Sequence, residues 1–162
     1  MQPGKTILIL IIAAALLVSA ATAHDLRTES PDQITVSPIP DGVIDLEGFD
    51  NAVQAIGSTI YPLDTDVINK EIPSNVTKIH VHLDWSGHSD GPHSVRLTIF
   101  PPRPNGALGP FYDSDDGHSD EKITLTLSDS STLPNGTWKI YVFGDDVPEE
   151  GVSYTLNVVY YK

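Results

Sequence analysis

The chain has 162 residues and a formal net charge of −13, from 22 acidic and 9 basic side chains, and it contains no cysteine. Nucleic acid is therefore not an expected partner, because such binding needs a basic surface, and an anionic membrane surface is disfavoured for the same reason. Without cysteine the chain forms no disulfides or zinc–thiolate sites. These values indicate one ordinary domain, held together by core packing, and they leave divalent cations open as partners.

Residues 1–23 have the layout of a secretory signal peptide. Lys5 precedes an apolar run from Ile7 to Val18, and the small residues of 19–23 follow it. Cleavage after Ala23 is expected. The mature chain would then be secreted, outside the cytoplasm or at the cell surface, with no membrane contact. An uncleaved anchor is the alternative, since a span takes about 20 residues.

Residues 24–57 are predicted to form an N-terminal arm. Polar residues and prolines dominate as far as Gly42, which is typical of an extended or flexible segment. Within the arm, Ile34, Val36 and Ile39 have nearly strand-like spacing. We therefore expect this segment to be able to pair with an exposed sheet edge of a neighbouring molecule.

A short helix is predicted over residues 45–57. Its apolar residues fall at helical spacing: Leu46, Phe49, Ala52, Val53 and Ile56. Asp45 is a suitable N-cap and Gly57 a suitable C-cap for this helix.

After residue 57 the apolar period changes to two, which predicts strands with one buried face. The alternation covers five segments, 79–85, 95–99, 123–127, 138–142 and 152–160, and a further strand is expected near 66–72. Turn-rich segments separate them. Six or more such strands predict two antiparallel sheets packed face to face, an all-β sandwich over residues 58–162. A helical fold is excluded by the period, and a parallel sheet would need crossover helices.

Several short motifs follow one another in a characteristic order. They are Ile72–Thr77, Val95–Pro102, Asp113–Thr124, Asn135–Val142 and Gly151–Val158. In this order the chain resembles the bacterial and archaeal pre-peptidase C-terminal domain. The resemblance implies a small jelly-roll-like β-sandwich and a non-catalytic accessory role, as in the secreted proteases and other exported proteins that carry this domain.

A candidate calcium site lies in the acidic turn between two predicted strands. Its carboxylates are closely spaced around Gly117: Asp113, Asp115, Asp116 and Asp120. Calcium takes six to eight hard oxygen ligands, which such a turn supplies. The spacing is not that of an EF-hand. The alternative is a solvated turn in which Asp and Gly simply suit the backbone.

Histidines provide two candidate sites for a transition metal. His80, His82 and Asp84 share one side of a predicted strand, and imidazoles two residues apart can share Zn²⁺ or Cu²⁺. The alternative is the polar outer side of a sandwich. His24 would begin the mature chain, where its amine and imidazole can chelate copper.

No catalytic motif is present, so an enzyme is not expected. Trp85 and Trp138 fall on the apolar phase and are expected in the core, whereas Tyr141 falls on the outer phase, where a ring can stack on a sugar. The sequence predicts a secreted, non-catalytic binding module, an extracellular surface or matrix component that binds a glycan, a protein or its own copies. The alternative is an exported metal-binding protein that uses the acidic turn or the histidines.

Overall fold

A computed structural model describes residues 34–39, 56–86 and 94–162, and these residues form nine β-strands and one short 3-10 helix. The strands are β1 Thr35–Pro38, β2 Ile56–Ile60, β3 Thr65–Ile72, β4 Lys78–Ser86, β5 Ser94–Phe100, β6 Leu108–Phe111, β7 Lys122–Ser128, β8 Gly136–Asp146 and β9 Val152–Tyr161. The 3-10 helix spans Asp113–Asp116, between β6 and β7. All six strands expected from the alternation are confirmed.

The strands form two antiparallel sheets that pack face to face. One sheet has five strands in the order β1-β7-β4-β9-β2, and the other has four in the order β3-β8-β5-β6. From β2 to β9 successive strands run in alternating directions, so the turns that join them fall alternately at the two ends of the molecule. The predicted all-β sandwich is confirmed.

The core lies between the sheets and is built from the apolar phase of each strand. Along β4, for example, Ile79, Val81, Leu83 and Trp85 are buried, while the intervening residues are not. Trp138 is also buried, and its Nε1 donates a 2.8 Å hydrogen bond to the Pro134 carbonyl. Each large side chain removed from water in this way contributes about 1.5–3 kcal/mol.

Two strands include residues on the N-terminal side of position 58: all of β1 and the first two residues of β2. β1 lies in the predicted arm and pairs with β7 of the same chain, with Val36 opposite Leu127. Gly57 lies inside β2, opposite Thr155, so the helix end predicted there is wrong. The edge of β9 offers unpaired backbone groups that β2 satisfies. Residues 45–55 of the predicted helix lie outside the described residues.

β6 lies in a segment that had the composition of a turn. Phe111 is opposite Leu97 of β5 and is buried, although Gly109 and Pro110 precede it. β6 is the edge strand of its sheet, where a proline removes no ladder hydrogen bond that the sheet needs.

The leader 1–23 and His24 also lie outside the described residues, so the predictions made for them stay predictions. Within 34–39, 56–86 and 94–162, no helix has the length and apolar character to cross a membrane.

Candidate interaction surface

The outer side of the four-stranded sheet carries a cluster of aromatic and aliphatic side chains. Directly opposed residues of an antiparallel pair point to the same side. Across β3, β8 and β5, one row joins Val67, Tyr141 and Thr98, and the next joins Thr65, Phe143 and Arg96. The aromatic face is defined as the set Val67, Arg96, Phe100, Tyr141 and Phe143.

Solvent reaches the aromatic face. Val67 is 48% exposed and Phe100 is 38% exposed, whereas Ile68 and Ile99 beside them in the sequence are buried. Because side chains alternate along a strand, Val67 and Phe100 point away from the core. A solvated sheet side usually carries polar residues, and an exposed apolar cluster commonly marks a binding surface.

Two ring contacts organise the aromatic face. The Arg96 guanidinium lies 4.3 Å from the centroid of the Phe143 ring, and Arg96 Nε lies 3.5 Å from Asp145 Oδ2. The centroids of Phe100 and Tyr141 are 4.8 Å apart, with the rings tilted by 59°. Cation–π and tilted ring pairs of this kind are mutually attractive. They hold the side chains in place before any partner arrives, which lowers the entropy cost of binding.

One end of the sandwich, next to the aromatic face, is strongly acidic. The turns 61–64, 112–121 and 147–151 all lie at this end, because the strands alternate in direction. Together with the last residues of β8, they carry the carboxylates of Asp64, Asp113, Asp115, Asp116, Asp120, Glu121, Asp145, Asp146, Glu149 and Glu150. We call this region the acidic end.

The turn 61–64 is fixed against β8 beside the aromatic face. The Leu63 N–H donates to the Gly144 carbonyl at 2.8 Å, and the Gly144 N–H donates to the Asp64 carbonyl at 3.2 Å. A Cβ at Gly144 would lie 2.5 Å from the Tyr61 carbonyl oxygen, so only glycine permits this approach. Since Gly144 follows Phe143, the acidic end borders the aromatic face directly, and Leu63, 76% exposed, extends the apolar surface.

The predicted calcium ligand Asp113 closes its turn by hydrogen bonding. Its carboxylate accepts the backbone N–H groups of Asp120 at 3.0 Å, Glu121 at 3.2 Å and Lys122 at 3.2 Å. A carboxylate that accepts several N–H groups is satisfied without a metal ion.

The neighbouring carboxylates of the turn also bond within it. Asp115 accepts the Tyr112 N–H at 2.9 Å, and Asp116 accepts the His118 N–H at 2.9 Å. Asp120 lies 3.4 Å from the ammonium group of Lys122. These bonds give the acidic residues a structural role, and calcium binding stays a prediction.

His80, His82 and Asp84 lie on the outer side of the five-stranded sheet, as the period of two predicts. His82 Nδ1 and Thr124 Oγ1 are hydrogen bonded at 2.8 Å, and Asp84 is opposite Lys122. Across the part of the chain that the structure describes, no group of three or more His, Asp or Glu side chains is placed to hold a metal ion. A zinc or copper site here also stays a prediction.

The surroundings of His80 shift its pKa. Burial lowers the pKa of His80, and the nearby charge of Lys78 lowers it further. The Tyr161 hydroxyl lies 3.4 Å from His80 Nδ1, and the two rings meet edge to face.

Of the five members of the aromatic face, sequence reasoning placed only Tyr141 on an exposed surface. The other members of the aromatic face were not predicted as site residues: Val67, Arg96, Phe100 and Phe143. Each falls on the polar phase of its strand, and a large apolar residue on that phase is the signal that would have indicated them. Trp85 and Trp138 are buried, as expected.

The sequence matches no protein-family profile and no curated protein. Among solved structures, the chain is similar to the crystal structure of Aeromonas hydrophila PliG, a periplasmic lysozyme inhibitor of g-type lysozyme. The identity is 14%, the similarity covers 67% of this chain and 86% of that chain, and the TM-score is 0.41. The resemblance to the pre-peptidase C-terminal domain stays a prediction.

Proposed function

We propose that this chain is an exported, non-catalytic binding module that recognises a protein through the aromatic face. The observation that supports the proposal most directly is the exposure of Val67 and Phe100 beside Tyr141, Phe143 and Arg96 on one sheet. Tyr, Phe and Arg are enriched in the cores of protein interfaces, where a few of them supply most of the binding energy. Export is inferred from the leader-like pattern of residues 1–23.

A protein fits the aromatic face better than a glycan does. A sugar stacks on an open aromatic ring, but the Phe143 ring has the Arg96 guanidinium 4.3 Å from its centroid. Tyr141 is half-buried and packs against Phe100. The surface therefore offers ring edges, an aliphatic side chain and a guanidinium plane, which are typical contacts of a protein partner.

The opposite outer surface has a different character. On the five-stranded sheet, His82 is opposite Thr124 on one side and Asn157 on the other, and His80 is opposite Thr126 and Val159. Val159 is buried, and Tyr161 is the exposed large apolar side chain of this surface. Polar side chains of this kind bond to each other and to water, and they present little apolar area. The contrast between the two sheets supports placing the binding surface on the four-stranded one.

Affinity capture with matched variants tests the proposal. The chain from residue 24 is immobilised as wild type, as Val67→Ser/Phe100→Ser, and as Thr126→Ala, which alters the polar side of the other sheet. Each resin is incubated with the extracellular fraction of the source cells, and bound proteins are identified by mass spectrometry. We expect a partner that wild type and Thr126→Ala retain, and that the double variant retains at less than about a tenth of that level.

Equal retention by wild type and Val67→Ser/Phe100→Ser would contradict the proposal. A glycan array run with the same three samples tests the alternative class of ligand. Binding to a polysaccharide that is lost on Tyr141→Ala would favour a glycan and would count against the proposal.

A further inference from the structure

Charge is distributed very unevenly between the two ends of the sandwich. The turns 73–77, 101–107 and 129–135, at the end opposite the acidic end, carry only Arg103 and Asp129 as charged side chains. Most of the remaining cations of the described residues lie toward that end, at Lys70, Lys78, Lys139 and Lys162. Lys139 is opposite Phe100, so this side of the aromatic face borders a cation. The described part of the chain therefore has a strong electrostatic dipole along the strands.

The two cations near the acidic end are both paired there. Arg96 lies 3.5 Å from Asp145, and Lys122 lies 3.4 Å from Asp120. In contrast, Asp146, Glu149 and Glu150 are exposed on or beside the turn 147–151. The acidic end, which borders the Phe143 side of the aromatic face, consequently keeps a net negative charge that attracts a cationic partner.

Only some of the carboxylates at the acidic end have a structural role through hydrogen bonds within their turn. The carboxylates of Asp113, Asp115 and Asp116 accept backbone N–H groups and fix their turn. The exposed carboxylates of Glu149 and Glu150 are adjacent in the sequence, and an excess of like charge destabilises the folded state. Their position next to an apolar surface is the arrangement that steers an oppositely charged partner and fixes its orientation.

We propose that the partner of the aromatic face is a folded cationic protein, whose basic side chains face the acidic end while an apolar patch covers Val67 and Phe100. This inference rests on the proposed function and specifies the partner. A second copy of the chain fits poorly, because each copy carries a net charge of −13. An anionic glycan or a nucleic acid is repelled for the same reason.

A cationic probe of known structure and its charge-reversed form test the inference. The probe is cytochrome c, a folded lysine-rich protein, and the control is the same protein with succinylated lysines. Binding to the chain from residue 24 is measured by interferometry at about 20 mM and about 200 mM salt. We expect micromolar binding of native cytochrome c, weakened about tenfold or more at the higher salt, and no binding of the succinylated form.

Three variants separate charge from apolar contact. Asp146→Asn/Glu149→Gln/Glu150→Gln removes exposed charges of the acidic end and should weaken binding about tenfold, mainly through the association rate. Val67→Ser/Phe100→Ser should weaken it about tenfold through the dissociation rate. Asp129→Asn, at the opposite end, is the matched control and should change neither rate.

The outcomes distinguish this inference from the proposed function. Failure of native cytochrome c to bind at low salt would overturn the proposal of a cationic partner. Binding that survives Val67→Ser/Phe100→Ser, and so depends on charge alone, would overturn it as well. If the captured partner still requires the aromatic face in either case, the proposed function stands. A captured partner with an acidic isoelectric point likewise overturns this inference and leaves the proposed function intact.

Discussion

The Tyr154 hydroxyl donates a 2.7 Å hydrogen bond to Oδ2 of Asp66, and this bond joins the two sheets of the sandwich. Tyr154 belongs to β9 of the five-stranded sheet, and Asp66 belongs to β3 of the four-stranded sheet. Tyr154 is buried, and β3 is the edge strand of its sheet. A carboxylate that points inward from an edge strand also discourages pairing with other molecules. The bond thus satisfies both polar groups and fixes the edge next to the aromatic face.

Tyr154→Phe should destabilise the fold while leaving its shape intact. The variant keeps the buried ring but removes the donor to Asp66, and a lost hydrogen bond to a charged group costs about 1–3 kcal/mol. Urea unfolding at neutral pH measures the difference. Tyr61→Phe is the control, because Tyr61 is 48% exposed and such surface changes stay within about 0.5 kcal/mol. Equal unfolding midpoints for wild type and Tyr154→Phe would contradict the expected role.

The stabilising effect of Tyr154 should fade in alkali. Burial raises the pKa of Tyr154, and the hydrogen bond to Asp66 raises it further. In the unfolded chain the phenol ionises near a pKa of about 10, so the unfolded state loses a proton that the folded state retains. The stability that the Tyr154 hydroxyl contributes is therefore complete below about pH 10 and declines as the pH rises above it. The difference in unfolding free energy between wild type and Tyr154→Phe should therefore narrow between about pH 9 and about pH 11. A constant difference over this range would count against the assignment.

The period of two was sufficient to find the strands whose apolar residues alternate without interruption. It missed β2, because Gly57, Ser58 and Thr59 break the alternation between the partly buried Ile56 and the core residue Ile60, and because the residues before them suggest a helix. It missed β6, because that strand has four residues including Gly109 and Pro110. Both are edge strands, and their backbone bonds depend on a neighbouring strand that local sequence does not reveal.

The candidate surface was harder to predict than the fold for a related reason. Tyr141 could be placed on the outer side of β8 from its phase alone. That Val67 and Arg96 lie on the same surface depends on the register of β3 and β5 with β8, which the turn geometry and the packed core set together. The acidic end likewise needs the topology, since its turns are separated by whole strands in the sequence.

Neighbouring residues on β3 should respond very differently to truncation. Val67 is on the aromatic face and Ile68 is in the core. Val67→Ala should change the unfolding free energy by less than about 1 kcal/mol, while Ile68→Ala should cost about 2–4 kcal/mol through lost burial and the cavity left behind. Thermal unfolding of both variants tests this. Similar losses at the two positions would show that Val67 is not solvent-facing, and would remove it from the aromatic face.

Asp113→Ala should loosen the turn that leads into β7. The substitution leaves the N–H groups of Asp120, Glu121 and Lys122 without their acceptor, at a cost of about 2 kcal/mol. Asp113→Asn keeps one acceptor oxygen and should lose less unfolding free energy than Asp113→Ala. Urea unfolding can resolve the difference. A greater loss of stability in Asp113→Asn than in Asp113→Ala would contradict this account.

The calcium prediction is tested by melting wild type with EDTA and with excess calcium. A melting temperature more than about 5 °C higher in calcium would support it.

Mild acid should destabilise the fold through His80. Its pKa is lowered by burial and by Lys78, so as the pH falls below about 6.5 the unfolded chain binds a proton that the folded state resists. The stability that depends on a neutral His80 is complete above about pH 6.5 and is lost as the pH falls toward the lowered pKa of the folded state. The groups placed around His80 are Lys78 and His82 on its own strand, Thr126 and Val159 opposite it, and the Tyr161 hydroxyl. None of these is a carboxylate that would reverse the sign.

Urea unfolding of wild type between about pH 5 and about pH 7.5 should therefore show a loss of stability that His80→Gln reduces. Lys78→Ala should reduce it by a smaller amount, because it removes only the second cause of the lowered pKa. His118→Gln, a substitution of the same kind in an exposed turn, is measured beside His80→Gln for comparison. If the curves of wild type and His80→Gln run parallel, the acid sensitivity arises elsewhere in the molecule.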